Sequence, residues 1–99
     1  MKLADFEKIS TTVPNGIQVV LDFDKYHLSI VQSDFSYGGT RGLYEIGVFA
    51  AQDGVASDMV KLPGITAEYD TIKGFLTEAD VDAIIKKMYT ITKKDPVQV

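Results

Sequence analysis

A single histidine, His27, stands beside residues that could join it in acid–base or nucleophilic chemistry. When the two alternating runs around it pair so that apolar residues face each other, His27 lies opposite Asp22, and Ser29 follows on the same face. Carboxylate, imidazole and hydroxyl are the groups of a Ser–His–Asp system. On an exposed hairpin face they would have neither a water-excluding pocket nor an oxyanion hole. The sequence therefore favours a surface ion pair over a small enzyme that uses His27.

Two aspartates have the spacing that begins a calcium-binding loop. The pattern stops after Asp22 and Asp24, because the next ligand position is Tyr26 and the turn-glycine position is His27. The chain has no cysteine, so thiolate ligands and disulfides are excluded. We expect no catalytic residue, no metal and no cofactor.

The segment Asp34–Gly42 contains three glycines and one arginine. It has neither the Gly-Lys-Ser/Thr of a Walker loop nor the spacing of a dinucleotide-binding turn. The pattern is typical of a flexible loop that joins two strands. Binding of an anion or of a partner is the alternative for this loop.

Several aromatic residues fall in predicted loops, where the core does not require them. Aromatic side chains and arginine contribute most of the binding energy at many protein interfaces. We predict a partner-binding role for Phe35, Tyr37, Arg41 and Tyr69. The alternative for the aromatic residues is that they pack over the edges of a sheet.

A β-hairpin is the strongest structural signal. The runs Ile17–Asp24 and Tyr26–Ser33 both alternate between apolar and polar residues, and their pairing sets Leu21 opposite Leu28. A slip of one residue would carry Asp22 into the core, so the pattern fixes the register.

Further strands are expected after this hairpin. Leu43–Phe49 predicts a central third strand in which Gly47 permits close approach by another group. Met59–Leu62 predicts a short fourth strand, and Thr71–Phe75 is extended.

Helical signals flank the strands. Leu3–Thr12 has apolar residues at helical spacing and predicts a short N-terminal helix. Thr77 is the predicted N-cap of a C-terminal helix, with Asp80 at the third helical position. The apolar face of this helix comprises Val81, Ile84, Ile85, Met88 and Ile91. Residues 94–99 are expected to form a frayed tail.

These elements predict one α+β domain over residues 1–99, a small two-layer structure. It would be an antiparallel meander of three to four strands with an N-terminal and a C-terminal helix. We expect Leu21, Leu28, Ile46, Ile84 and Ile85 to be buried in its core. Hydrophobic residues make up 45% of the chain and the net charge is −4, which argues against a general basic field for nucleic acid. No apolar run reaches the length of a membrane span or a signal peptide, so we expect a cytoplasmic protein.

Four segments resemble small uncharacterised proteins of phages and prophages of Gram-positive bacteria. They are Tyr37–Gly39, Gly42–Phe49, Leu62–Thr66 and Asp70–Thr77, within a resemblance that covers Pro14 to about Met88. The resemblance implies a location in the cytoplasm of the bacterial host. It also implies stoichiometric binding to a host or phage protein, including inhibition of a defence protein. It carries no activity or catalytic residues to transfer.

The leading hypothesis is therefore a non-catalytic phage-type protein-binding module, with an inhibitor of a host or defence protein as its most specific form. The alternative is a nucleic-acid-associated accessory protein, in which Arg41 and the C-terminal lysines form a local basic patch. A small enzyme and an acidic mimic of nucleic acid have less support. A protein partner is expected, nucleic acid and membrane are not, and a homo-oligomer stays open.

Overall fold

A seven-stranded antiparallel sheet and one α-helix make up the structure, a computed structural model that describes residues 1–99. The elements in chain order are a 3₁₀ turn (Leu3–Asp5), β1 (Ile9–Ser10), β2 (Ile17–Asp22), β3 (Tyr26–Gln32), a second 3₁₀ turn (Gly39–Arg41), β4 (Tyr44–Gln52), β5 (Val55–Met59), β6 (Ile72–Leu76), α1 (Glu78–Thr92) and β7 (Val97–Gln98).

The predicted hairpin forms the centre of the sheet. Strands β2 and β3 pair with Leu21 opposite Leu28 and Asp22 opposite His27, which confirms the register expected from the apolar pattern. At the tip, Asp24 takes φ 76°, and the Lys25 N–H donates to the Phe23 carbonyl. This three-residue turn lets both strands keep their apolar faces on the same side.

Each edge of the central meander β2–β3–β4 is divided between two short strands. Strands β1 and β7 both pair with β2, and β5 and β6 both pair with β4. The predicted frayed tail is therefore wrong in part. Val97 and Gln98 pair with β2, and the Val99 N–H donates to the Val20 carbonyl.

The predicted N-terminal helix over Leu3–Thr12 is also wrong. The segment makes a short 3₁₀ turn and then strand β1. Its backbone bonds to distant parts of the chain, because the Leu3 N–H donates to the Asp82 carboxylate at 2.8 Å and the Glu7 N–H to the Gln98 side-chain amide oxygen at 2.8 Å. Contacts far apart in sequence thus outweigh the helical spacing. The predicted fold is therefore corrected to an α+β-like small domain with one α-helix instead of two and seven strands instead of three to four.

The fourth strand predicted over Met59–Leu62 is wrong in its bounds, because β5 spans Val55–Met59 and shares only Met59 with that segment. Asp53 and Gly54 both have positive φ, 51° and 80°, as a two-residue type I′ turn requires, so β5 starts at Val55 directly after β4. All residues of β5 are exposed, and an edge strand of this kind shows no alternation that would reveal it. The extended segment predicted over Thr71–Phe75 is confirmed, shifted by one residue.

One face of the sheet packs against α1 to form the core. All five residues predicted to be buried there are buried: Leu21, Leu28, Ile46, Ile84 and Ile85. Ile91, which the helical spacing places on the same apolar face of α1, is exposed in the last helical turn. None of the helices has the length and apolarity needed to cross a membrane.

A capping box begins α1, as predicted. The Asp80 N–H donates to the Thr77 hydroxyl at 3.1 Å, and the Thr77 N–H donates to the Asp80 carboxylate at 2.9 Å. Replacing Thr77 by alanine should lower the free energy of unfolding by about 0.5–2 kcal/mol, measured by urea denaturation at pH 7. Lys86→Ala, an exposed change on the same helix, is the control and should cost less than about 0.5 kcal/mol. Equal effects of the two changes would contradict the cap.

The same capping box should have a pH signature. Hydrogen bonds from the Thr77 backbone N–H and then from its side chain lower the pKa of Asp80, and Lys73 lowers it further. The pKa of Asp80 in the folded state lies below the unfolded value of about 3.9. The contribution of its carboxylate to the stability of the fold is therefore fully present at a pH above the unfolded pKa, and it is lost as the pH falls through the folded-state pKa. The stability difference between wild type and Asp80→Ala should be constant from pH 7 to about pH 5 and shrink below about pH 4.

Candidate functional site

The segment predicted to be a flexible loop is a series of hydrogen-bonded turns. The Ser33 N–H donates to the Ser36 hydroxyl at 2.9 Å, and the Ser36 N–H donates to the Ser33 hydroxyl at 3.1 Å. The Asp34 N–H donates to the Pro14 carbonyl, and the Asn15 amide donates to the Asp34 carboxylate at 3.0 Å. These bonds tie the start of the loop to itself and to the turn before β2.

The glycines of the loop serve close packing and left-handed turns. Gly38 and Gly42 have φ values of 87° and 74° and flank the second 3₁₀ turn. Between them, Gly39 lies so close to the Ser33 carbonyl oxygen that a side chain would have no room. The backbone of this loop is thereby fixed from Ser33 to Gly42, and Arg41 projects from it, exposed and without an ion-pair partner.

A β-bulge in β6 brings Phe75 beside this loop. Tyr44 pairs with Leu76 and Ile46 with Lys73, so two residues of β6 lie opposite one of β4. Phe75 takes φ 56°, a left-handed conformation that is rare for a bulky residue. The structure thus holds an aromatic side chain at a strained backbone position, a feature that is concentrated at functional sites.

The rings of Tyr37 and Phe75 stack with their centroids 6.3 Å apart. The backbone beside them is bonded twice: the Tyr37 N–H donates to the Glu45 carboxylate at 3.0 Å, and the Phe75 N–H donates to the Tyr37 carbonyl at 3.2 Å. Gly74 and Gly38 lie in direct contact with this pair. Despite this support, Tyr37 is 57% exposed and Phe75 is 56% exposed.

Of the four residues predicted to bind a partner, three lie in one ordered loop. Phe35 is 80% exposed and lines a groove of about 360 Å³ whose walls include Val31 and Glu45. Tyr37 and Arg41 follow in the same loop. Tyr69 is exposed in the connection between β5 and β6, and no ring stacking or hydrogen bond of its side chain joins it to the other three.

Phe75 is the site residue that sequence reasoning missed. It lay in a segment predicted to be extended, where every second residue would face the core. The adjacent Gly74 was the available signal, since glycine within a strand often marks a bulge. We call Phe35, Tyr37, Arg41 and Phe75 the aromatic site.

The strain at Phe75 leads to a matched prediction. Phe75→Gly and Phe75→Ala both remove the ring, but only glycine adopts positive φ without cost, so the glycine variant should be the more stable by about 1 kcal/mol. Lys73 lies in the same strand without positive φ, and there the alanine variant should be the more stable by about 0.5–1 kcal/mol. Chemical denaturation of the four variants measures their free energies of unfolding and so shows which of glycine and alanine is the more stable at each position. A more stable alanine variant at position 75 would contradict the left-handed backbone at Phe75.

His27 and Asp22 are neighbours as predicted, but the setting differs from the exposed face that the sequence suggested. His27 is only 5% exposed, between Asp22 on one strand and Phe49 on the other. Its Nε2 lies 3.6 Å from the Asp22 carboxylate and makes no hydrogen bond. The Ser29 hydroxyl accepts a hydrogen bond from the Gln18 amide at 3.0 Å, and no bond links it to His27.

No group of three or more histidine and carboxylate side chains is placed to hold a metal ion. A groove of about 460 Å³ lies between the N-terminus, α1 and Pro96. Its lining mixes charged and apolar residues, and Asp82 in it already accepts the Leu3 N–H.

Comparison with models of known protein families, with curated proteins and with solved structures finds no match to this chain.

Proposed function

We propose that this protein is a non-catalytic protein-binding module and that its aromatic site contacts the partner. The observation that carries the proposal is the stacked pair of Tyr37 and Phe75, which stays more than half exposed although the backbone on both sides is held by hydrogen bonds. A rigid exposed aromatic pair loses little conformational entropy when a partner covers it. The left-handed backbone at Phe75 is a strained conformation of the kind that is concentrated at functional sites.

The chemistry of the site also indicates the kind of partner surface. Arg41 is exposed and unpaired, and its guanidinium is suited to a bidentate contact with a carboxylate. Tyr37 and Phe75 offer flat apolar area with one hydroxyl at the rim. The complementary surface is an apolar pocket with an Asp or Glu beside it.

The resemblance to small phage and prophage proteins supports a host protein as the partner, encountered in the bacterial cytoplasm. Inhibition of a host or defence protein would follow if the covered surface is one that the host protein needs. Binding of nucleic acid is the competing hypothesis, and it predicts association that weakens steeply as salt rises.

The test begins with tagged protein used to capture a partner from lysate of phage-infected Gram-positive cells, identified by mass spectrometry. With the purified partner, Tyr37→Ala and Arg41→Ala should each weaken binding by about 1–4 kcal/mol while melting stays nearly unchanged. Tyr89→Ala, an exposed tyrosine on α1, is the matched control and should bind like wild type.

Wild-type affinity in both site variants would show that the partner binds elsewhere. A parallel fall in melting temperature and affinity would mean that the aromatic residues stabilise the fold instead. Captured nucleic acid that is lost at high salt, without a stoichiometric protein, would favour the competing hypothesis.

A further inference from the structure

A groove lies beside the aromatic site, on the face of the sheet opposite α1. Ile30 of β3 points into the core, so the next residue, Val31, points to the other face. Val31 pairs with Gln18 of β2 and with Glu45 of β4, and the three side chains form one row across the sheet. This row is the floor of the groove of about 360 Å³ that Phe35 lines.

Two connections form the walls above this floor. One is the turn before β2, which contributes Val13, and the other is the loop that carries Phe35. Hydrogen bonds join the two walls, because the Asp34 N–H donates to the Pro14 carbonyl at 3.1 Å and the Asn15 amide donates to the Asp34 carboxylate at 3.0 Å. The groove is therefore already formed in the chain without a partner. We call it the Phe35 groove, and its apolar and charged members are Val13, Ile17, Val31, Phe35 and Glu45.

The charge in the Phe35 groove is negative. Glu45 is the single ionisable residue that lines it, and no lysine or arginine does so. One carboxylate oxygen of Glu45 accepts the Tyr37 N–H at 3.0 Å. The other oxygen has no hydrogen-bond or ion-pair partner in the chain. A half-buried carboxylate thus keeps one oxygen free for a donor from outside.

Apolar and aromatic surface lies next to this carboxylate. Val31 is half-buried beside Glu45 on the floor, and the side chain of Phe35 on the wall is 80% exposed. The face of an exposed aromatic ring attracts a cation. An arginine side chain matches all three features, because it has an apolar stem and a planar cation that both stacks on rings and donates to carboxylates.

We infer that the Phe35 groove receives an arginine side chain of the partner protein. The inference rests on the proposed function and adds a second contact beside the stacked rings. The guanidinium donates to the free oxygen of Glu45 and lies against the Phe35 ring, while the stem covers Val31. An apolar side chain in the same place would bury the Glu45 carboxylate without a donor, which is unfavourable. A phosphate group would be repelled by it.

The interface then carries charges of opposite sign at two points. Arg41 pairs with an acidic group of the partner, and Glu45 pairs with a basic one. A partner bound in the reversed orientation would set like charges against each other, which is unfavourable. The order of the two charges on the partner is therefore part of what this surface recognises.

The first test needs no partner and uses N-acetyl-arginine methylamide as the probe. Titrated into isotope-labelled full chain, it should shift the NMR signals of the Val31, Ser33 and Glu45 amides and saturate at millimolar concentrations. The corresponding norleucine compound has an apolar stem without charge and should leave these signals in place. The lysine compound should bind more weakly than the arginine compound, because its ammonium group cannot lie flat against the Phe35 ring.

Glu45→Gln is the variant for this titration, because glutamine keeps an oxygen that can accept the Tyr37 N–H. It should weaken binding of the arginine probe about tenfold through the loss of a charge-assisted hydrogen bond. Glu78→Gln removes an exposed carboxylate on α1, which packs on the opposite face of the sheet, and should bind the probe like wild type. Circular dichroism confirms that both variants are folded.

A second measurement uses the captured partner. Glu45→Gln and Phe35→Ala should each weaken its binding about tenfold, whereas Glu78→Gln should not. The inference is overturned if the arginine probe gives no saturable shifts in the groove, if it binds no better than the lysine compound, or if folded Glu45→Gln binds probe or partner like wild type. A partner that is weakened by Tyr37→Ala but not by Glu45→Gln would leave the aromatic site in place and refute the arginine contact. An arginine probe that binds the groove while Tyr37→Ala and Arg41→Ala bind the partner like wild type would support the groove and refute the aromatic site.

Discussion

Gly39→Ala should destabilise the protein by about 3 kcal/mol or more, the upper part of the range for substitutions that force atoms into occupied space. The methyl group would meet the Ser33 carbonyl oxygen and the Ser36 hydroxyl. The nearest obstacle is backbone, which cannot rotate away as the end of a long side chain can. The turn from Ser33 to Ser36 would have to open for the variant to fold.

Gly42→Ala provides the control in the same loop. Gly42 has φ 74° with no other group near the position of its missing side chain, so alanine there meets only the cost of a left-handed backbone, about 1–2 kcal/mol. Urea denaturation measures the loss in free energy of unfolding for each variant, which is steric for Gly39→Ala and conformational for Gly42→Ala. If Gly39→Ala proves as stable as Gly42→Ala, the close contact with Ser33 does not exist in solution.

The same variant connects the loop to the proposed function. Gly39 lies between Tyr37 and Arg41, and opening the turn would displace both from the aromatic site. Gly39→Ala should therefore weaken partner binding more than its loss of stability alone accounts for, while Gly42→Ala should bind nearly as wild type does.

Sequence patterns predicted the elements that are stabilised by residues close to one another along the chain. The register of β2 and β3 follows from alternation on two adjacent strands, and the start of α1 follows from Thr77 and Asp80, three residues apart. In both cases the interacting groups are near in sequence. No distant segment competes for them.

Elements at the edges of the sheet could not be predicted in this way. The segment Leu3–Thr12 fits helical spacing, yet its structure depends on Asp82 and Gln98, which lie about 80 residues or more away along the chain. Strand β7 likewise exists only because β2 leaves half of its edge unpaired. Pairing between distant segments leaves no periodic pattern of apolar residues in the sequence from which it could be predicted.

The candidate site shows the same division. The position of Phe35, Tyr37 and Arg41 in a loop follows from the predicted strands on either side, and the structure leaves all three exposed. The contribution of Phe75 depends on a bulge that shifts the pairing of β6 with β4, and alternation alone assigns no residue to a bulge. His27 was expected on an exposed face and is buried, because the neighbouring strand β4 places Phe49 beside it.

Leu21→Ala should lower the free energy of unfolding by about 2–5 kcal/mol, through the lost apolar contact and the cavity that remains. Leu21 is fully buried in β2, the strand that pairs with β3 on one side and with β7 on the other. With strands on both sides, the backbone around it has little freedom to collapse into the space. The cost should therefore fall in the upper half of that range.

The loss is large in relation to the whole stability of a small domain, which is about 5–15 kcal/mol. Val55→Ala, at an exposed position of the edge strand β5, is the control and should change stability by no more than about 0.5 kcal/mol. The free energies of unfolding of the two variants can be compared by chemical denaturation if the slope of the free energy against denaturant concentration is the same for both. A loss below about 1 kcal/mol for Leu21→Ala would remove this residue from the core and would contradict the register that sets Leu21 opposite Leu28 and His27 opposite Asp22.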